Sequence, residues 1–208
     1  MAKTAQRSYA GLSAHDRRIE RRVKFIDAAF TVFATTGFAA SSVSEICSKA
    51  NLSTRQFYEE FTGKEDILSA AYGEVNRNAE TAVAEAAATV SAEPLETRLT
   101  TIIRAYLTNI LRDPRHARIA FVEVIGVSDS MEVQRQSRVD AWIELLNSLI
   151  ATEVDTGELP ARDYRLTWIG YIGSVNALVV HRTTKSPGTS VDDLVSELVR
   201  LARTGVLS

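Results

Sequence analysis

Arg55 and Gln56 stand side by side in the run SSVSEICSKANLSTRQFYEEFTGKE, residues 41–65. A guanidinium can donate two parallel hydrogen bonds to the O6 and N7 edge of guanine, and a carboxamide can pair in the same two-pronged way with adenine. Thr54 precedes them, and Tyr58 follows with a phenol able to donate to a phosphate oxygen. Ser42 and Lys64 lie at helix starts, where free amides and the positive end of the helix dipole favour an anion. This is the chemistry of recognition rather than of bond-making. No nucleophile–base pair or phosphate loop accompanies it. His15, His116 and His181 are scattered, and Cys47 is the single cysteine. Asp113 and His116 share a helix face but lack further ligands nearby in sequence, so neither a catalytic nor a metal site is expected.

The elements that would position these residues are written in capping boxes. Ser42 has Glu45 three residues on, Ser53 has Gln56, and Thr62 has Glu65. In each pair the hydroxyl can accept from a free helix N–H while the Glu or Gln side chain reaches back to the cap's amide. Asn51 falls where the turn between the first two short helices needs a residue tolerant of positive φ. Phe57 and Phe61 should pack the second short helix down. A longer helix before them opens at Ser13 with Asp16 and closes at Gly37; Ile19, Val23, Ile26, Phe30 and Phe33 recur at helical spacing as one buried stripe. Two short helices joined by a tight turn, with a third packed behind, predict a helix-turn-helix. Lys3 and Arg7, ahead of the first helix, could form a basic arm for a minor groove, or a plain basic tail.

Composition agrees with an all-α chain: 45% of its 208 residues are hydrophobic and strictly alternating β-branched runs are absent. Net charge is −2, but it divides unevenly. Residues 1–64 hold ten Lys/Arg against six Asp/Glu, and residues 65–208 hold fourteen against twenty. A basic front and an acidic back fit a nucleic-acid reader joined to a second module. One cysteine excludes an internal disulfide framework. The polar N-terminus has no signal-peptide core, and no apolar run reaches the roughly 18 residues of a membrane span, so a cytoplasmic protein without membrane attachment is expected.

Phe33 to Gly37, Ser41-Ser42-Val43, Ala50-Asn51-Leu52-Ser53, Phe57-Tyr58, Phe61 and Gly63-Lys64-Glu65 together resemble the N-terminal domain of the TetR family of transcriptional regulators. The resemblance covers about residues 19–68. It implies a nine-helix architecture, with a three-helix helix-turn-helix domain over residues 1–65 and a helical ligand-binding and dimerisation domain over 66–208. It also implies a homodimer, usually a repressor, bound to a double-stranded operator and released by a small molecule. Ser42, Ser53, Thr54, Arg55, Gln56, Tyr58 and Lys64 stand at the family's DNA-contact positions. This chain departs from the family in having Arg55-Gln56 where Gly-Thr is common, which implies a different operator. Glu59 and Glu60 stand where groups that help bind phosphates are common. They leave open an alternative: a helical-bundle ligand carrier or enzyme whose DNA-binding domain is degenerate.

The second module reads as longer helices. One runs from Pro94 to about Arg112, one restarts at Asp113-Pro114 and ends near Gly126, and one is capped by Asp129 with Glu132. Another starts at Pro160, and the last opens at Ser190 with Asp193. Gly170, Gly173, Ser174 and Ala177 form a small-residue stripe, and Val191, Leu194, Val195, Leu198 and Leu201 an apolar one. Both suit a four-helix dimer interface, or else the monomer's own core. Tyr106, Phe121, Trp142, Trp168 and Asn176 are candidate lining for an effector pocket, whose occupant would be small and apolar or aromatic. Ligand in this domain would move the fourth helix and change the separation of the two recognition helices.

Overall fold

The computed structural model describes residues 13–205. The basic arm lies outside them. Nine α-helices follow one another, and no strand occurs among the described residues: α1 Ala14–Thr36, α2 Val43–Ala50, α3 Thr54–Tyr58, α4 Lys64–Thr89, α5 Leu95–Leu111, α6 Pro114–Arg118, α7 Asp129–Asp155, α8 Arg165–Thr184 and α9 Val191–Gly205. A π-helical turn, Ile119–Glu123, continues α6. One hydrophobic core runs from Phe25 to Ala202. None of the described helices is long and apolar enough to cross a membrane.

Local signals explain most helix ends. Ser13, Ser42 and Ser53 each close a two-way capping box, and Ser190 exchanges bonds with Asp193. Asn51 takes the left-handed conformation at φ 53°, and Gly37 ends α1 at φ 85°. Thr62 differs from expectation: its N–H goes to Asp66 at 2.8 Å, and α4 begins at Lys64. Glu65 is engaged instead by the hydroxyl of Ser128, 2.6 Å away, and Ser128 rather than Asp129 caps α7. Helix α8 begins at Arg165, not Pro160, because Tyr164 donates its hydroxyl back to Pro160 O at 2.9 Å and Asp163 accepts from Arg165 N.

The stripe on α1 is only half realised. Ile26, Phe30 and Phe33 are buried, whereas Ile19 and Val23 are 50% and 59% exposed. At that end the side of α1 facing α3 carries Arg18, Arg21 and Arg22, which reach Glu60. The α9 stripe is also spent within the chain: Leu194, Val195 and Leu198 are buried, with α9 packed on α5. On α8 the small residues face outward. Leu166 and Ile169 are exposed beside them, and a Cβ built on Gly170 or Gly173 meets nothing within 4 Å.

Candidate functional site

Helix α3 is a single exposed turn and a half on an aromatic base. Phe57 is fully buried, its ring 5.4 Å from Phe25 and 5.5 Å from Phe61, so the helix is anchored by its C-terminal half. The N–H groups of Glu60 and Phe61 both reach Phe57 O at 2.9 Å, and the helix ends at Tyr58. Ser42, Ser53, Thr54, Arg55 and Tyr58 are all exposed, and the Arg55 side chain is 91% exposed. Gln56 is half-buried, and its Oε1 accepts from Ser53 N at 2.9 Å. Reading a base with this amide requires its cap bond to be given up or shared.

The two carboxylates after Tyr58 part company. Glu59 is surface-exposed and sits 3.4 Å from Arg55 and 3.7 Å from Arg21. Glu60 turns inward: its side chain is 1% exposed, with Arg18 at 3.0 Å and Arg21 at 3.1 Å. Arg22 adds a bond to Glu60 O and lies 4.4 Å over the Phe61 ring. Three of the basic residues on α1 therefore hold α3 in place. Burial raises the Glu60 carboxyl, but Arg18 and Arg21 outweigh it and hold the group below its ordinary value of 4.5. A depressed folded value means stability that is present above the unfolded value and lost as pH falls through the folded one. Glu60→Gln should cost about 2 kcal/mol at pH 7, since the partner arginines keep partial access to water. In thermal melts this is about 5 °C at pH 7, and the gap to wild type should narrow as pH falls below the ordinary value of 4.5.

Lys64, expected to meet a phosphate, aims its ammonium into the protein. It donates to Phe38 O at 2.6 Å, Ser41 O at 2.8 Å and Ala39 O at 3.3 Å, and lies 4.5 Å over the Phe38 ring. It thereby holds the α1–α2 turn from the start of α4. Residues much further along the chain grip this turn and α1. Glu123 on the π turn accepts from Phe38 N at 2.7 Å, and Arg115 on α6 bonds Thr31 at 2.8 Å and pairs with Asp27 at 3.0 Å. The sequence offered no sign of these ties, because each joins residues far apart in the chain.

Residues 25–71 match the sequence model of bacterial regulatory proteins of the tetR family. The chain carries a tetR-family N-terminal domain. The matched domain is that of bacterial regulatory proteins. No curated protein matches it by sequence. Among solved structures it is similar to the transcriptional regulator FadR from Bacillus subtilis in complex with stearoyl-CoA, at 19% identity and TM-score 0.76, over 88% of this chain and 98% of that one. FadR from Bacillus halodurans matches at 20% identity and TM-score 0.76, over 87% and 93%. A putative TetR-family regulator from Rhodococcus sp. matches at 21% identity and TM-score 0.70, over 90% and 99%. The described residues thus share the fold of these regulators, C-terminal helices included.

Two cavities adjoin among α4, α5, the π turn, α7 and α8. One, of about 70 Å³, is lined almost wholly by apolar groups, among them Val83, Ile103, Leu146 and Val175. The other, of about 120 Å³, is lined by Tyr72, Asn76, Phe121, Arg135, Arg138 and Asn176, among others. Tyr106 and Trp142 line both, their rings edge to face at 5.3 Å. The structure thus brings four of the five sequence-selected residues, Tyr106, Phe121, Trp142 and Asn176, to one place. Trp168 is the exception. It is fully buried between Tyr164 and Tyr171, its indole N–H on Asn147 at 2.8 Å, and it lines neither cavity. Arg135 and Arg138 escaped notice in the sequence because charged residues on a long helix usually mark its wet face. Asn76 carried a usable signal: it is a polar residue in the apolar row Tyr72, Asn76, Ala79, Val83. Among the described residues no group of three or more His, Cys, Asp or Glu is placed to hold a metal.

Proposed function

We propose that this protein is a cytoplasmic, homodimeric repressor that binds a pseudo-palindromic operator through α3 and leaves it when a small apolar molecule enters the C-terminal cavities. The observation that carries the reading is the capped, exposed start of α3, with Thr54, Arg55 and Tyr58 facing solvent on a rigid aromatic base. In this reading Arg55, with Thr54 and Gln56, reads bases, and Ser42, Ser53 and Tyr58 bond to phosphates. Lys64 serves there by holding the turn that leads into α2, and its charge adds to the field at the backbone. Glu60, paired inward, offers a phosphate no repulsion, which favours a working DNA reader over a degenerate one.

Residues 1–65 act as the reading domain and 66–208 as the effector and dimer domain. The exposed small-residue face of α8 supports pairing with a second copy, which sets two α3 helices on half-sites about 34–36 Å apart. The apolar cavity supports an apolar effector, and an acyl chain, as in the Bacillus subtilis FadR complex, is one such molecule. The test is fluorescence anisotropy with the DNA upstream of the protein's own coding region. Expected is saturable binding that survives excess competitor DNA and weakens steeply with salt. Binding that competitor removes as readily as it removes any other duplex would overturn the assignment.

A further inference from the structure

The polar cavity lies against the seam between α4 and α7. Three side-chain pairs hydrogen-bond across that seam among the described residues: Ser128 with Glu65 at 2.6 Å, Ser69 with Gln134 at 2.9 Å, and Arg138 with Glu80 at 2.8 Å. Two guanidiniums, Arg135 and Arg138, line the cavity, and no carboxylate does. The two arginines are not equally available. Glu132 grips Arg135 at both Nε and Nη2, at 2.8 Å and 2.7 Å, as a two-pronged pair. Arg138 gives Glu80 a bond from one nitrogen, and both side chains are about one-third exposed, so the pair is weakly held. A planar guanidinium presents further donors in a fork that fits a carboxylate.

Past Tyr106 and Trp142 the wall turns apolar, so a molecule with its head at Arg138 would lay its body in the inner cavity. We propose that the two cavities hold a straight-chain aliphatic carboxylate, and that its head takes Arg138 from Glu80. This rests on the reading that the C-terminal domain binds an effector. Its mechanical consequence follows from where Glu80 sits. Glu80 is on α4, the helix whose first residue, Lys64, holds the α1–α2 turn. Exchange at Arg138 opens one of the three α4–α7 ties, giving the ligand the unequal affinity for two α4 positions that any shift requires.

Direct binding to the full-length protein, without DNA, tests this separately from operator recognition. Tryptophan fluorescence and thermal shift would be read with decanoate, 1-decanol, decylamine and decanoyl-CoA. Decanoate should bind and outcompete the alcohol and the amine. Arg138→Met should weaken decanoate about tenfold and leave decanol unchanged, as expected for loss of a charge-assisted bond. Glu80→Gln removes the competing carboxylate, so decanoate should bind about threefold more tightly, again with decanol unchanged. Failure of decanoate to bind, binding of the thioester alone, or a Glu80→Gln protein that holds decanoate less tightly would each overturn the proposal. None of these results bears on whether the protein binds its operator.

Discussion

Replacing Arg55 with alanine is expected to weaken operator binding about a hundredfold or more while leaving binding to unrelated DNA nearly unchanged. The size follows from geometry. A two-pronged arginine–guanine contact discriminates by about 1–3 kcal/mol, and a symmetric dimer loses it at both half-sites. The Arg55 side chain is 91% exposed, so its removal leaves the fold intact and the effect is confined to recognition. Its partner among the described residues is Glu59, four residues on and 3.4 Å away, in an exposed pair worth about 0.5 kcal/mol or less. Arginine must leave this partner to reach a base, so Glu59→Gln should strengthen operator binding two- to threefold, roughly what that pair is worth. Anisotropy titrations with operator and scrambled duplexes, repeated across salt concentrations, check both. If Arg55→Ala weakens both duplexes equally, Arg55 is a phosphate contact and the bases are read elsewhere.

The contrast between Arg55 and Glu60 shows what the chain's own text could disclose. The caps at Ser13, Ser42, Ser53 and Ser190 were legible because donor and acceptor lie three residues apart, within the reach of local rules. So were Gly37 and Asn51, whose backbone angles depend on residue type. Legibility failed where a distant partner competes for a side chain. Glu65 would suit a box with Thr62, but Ser128 claims it from 63 positions away and Asp66 takes its place. Glu60 resembles a groove-edge charge until Arg18 and Arg21 on α1 are seen beside it. Lys64 looked like a free cation at a helix start, and three carbonyls of the α1–α2 turn occupy it. The helix-turn-helix itself was legible because all its punctuation is local. The ties around α4 and the α1–α2 turn were hidden because each of them, Arg138 to Glu80, Glu123 to Phe38 and Lys64 to Ser41, joins residues far apart in sequence.

A leucine at position 173 should separate the two subunits of the proposed dimer without harming either. Gly173 lies inside α8 on its exposed side, and a Cβ placed there meets nothing within 4 Å in the single chain. Exchanging glycine for leucine inside an exposed helix gains about 0.5–1 kcal/mol of helix propensity, so the lone subunit should melt no lower than before. The dimer is another matter. Gly170, Gly173 and Ala177 lie on one exposed face, flanked by Leu166, which is 81% exposed, and such a face earns its place only if another helix approaches closely. The leucine holds that helix off. Light scattering should therefore show a monomer, and operator affinity should fall about a hundredfold as two linked half-site contacts become one. Gly173→Ala, which adds one methyl group, should stay dimeric or nearly so. The α9 stripe gives the matching control: Val195 and Leu198 are buried against the chain's own core, so their replacement by alanine should lower the melting temperature while any folded protein stays dimeric. A Gly173→Leu protein that remains a dimer with unchanged operator affinity would remove α8 from the interface.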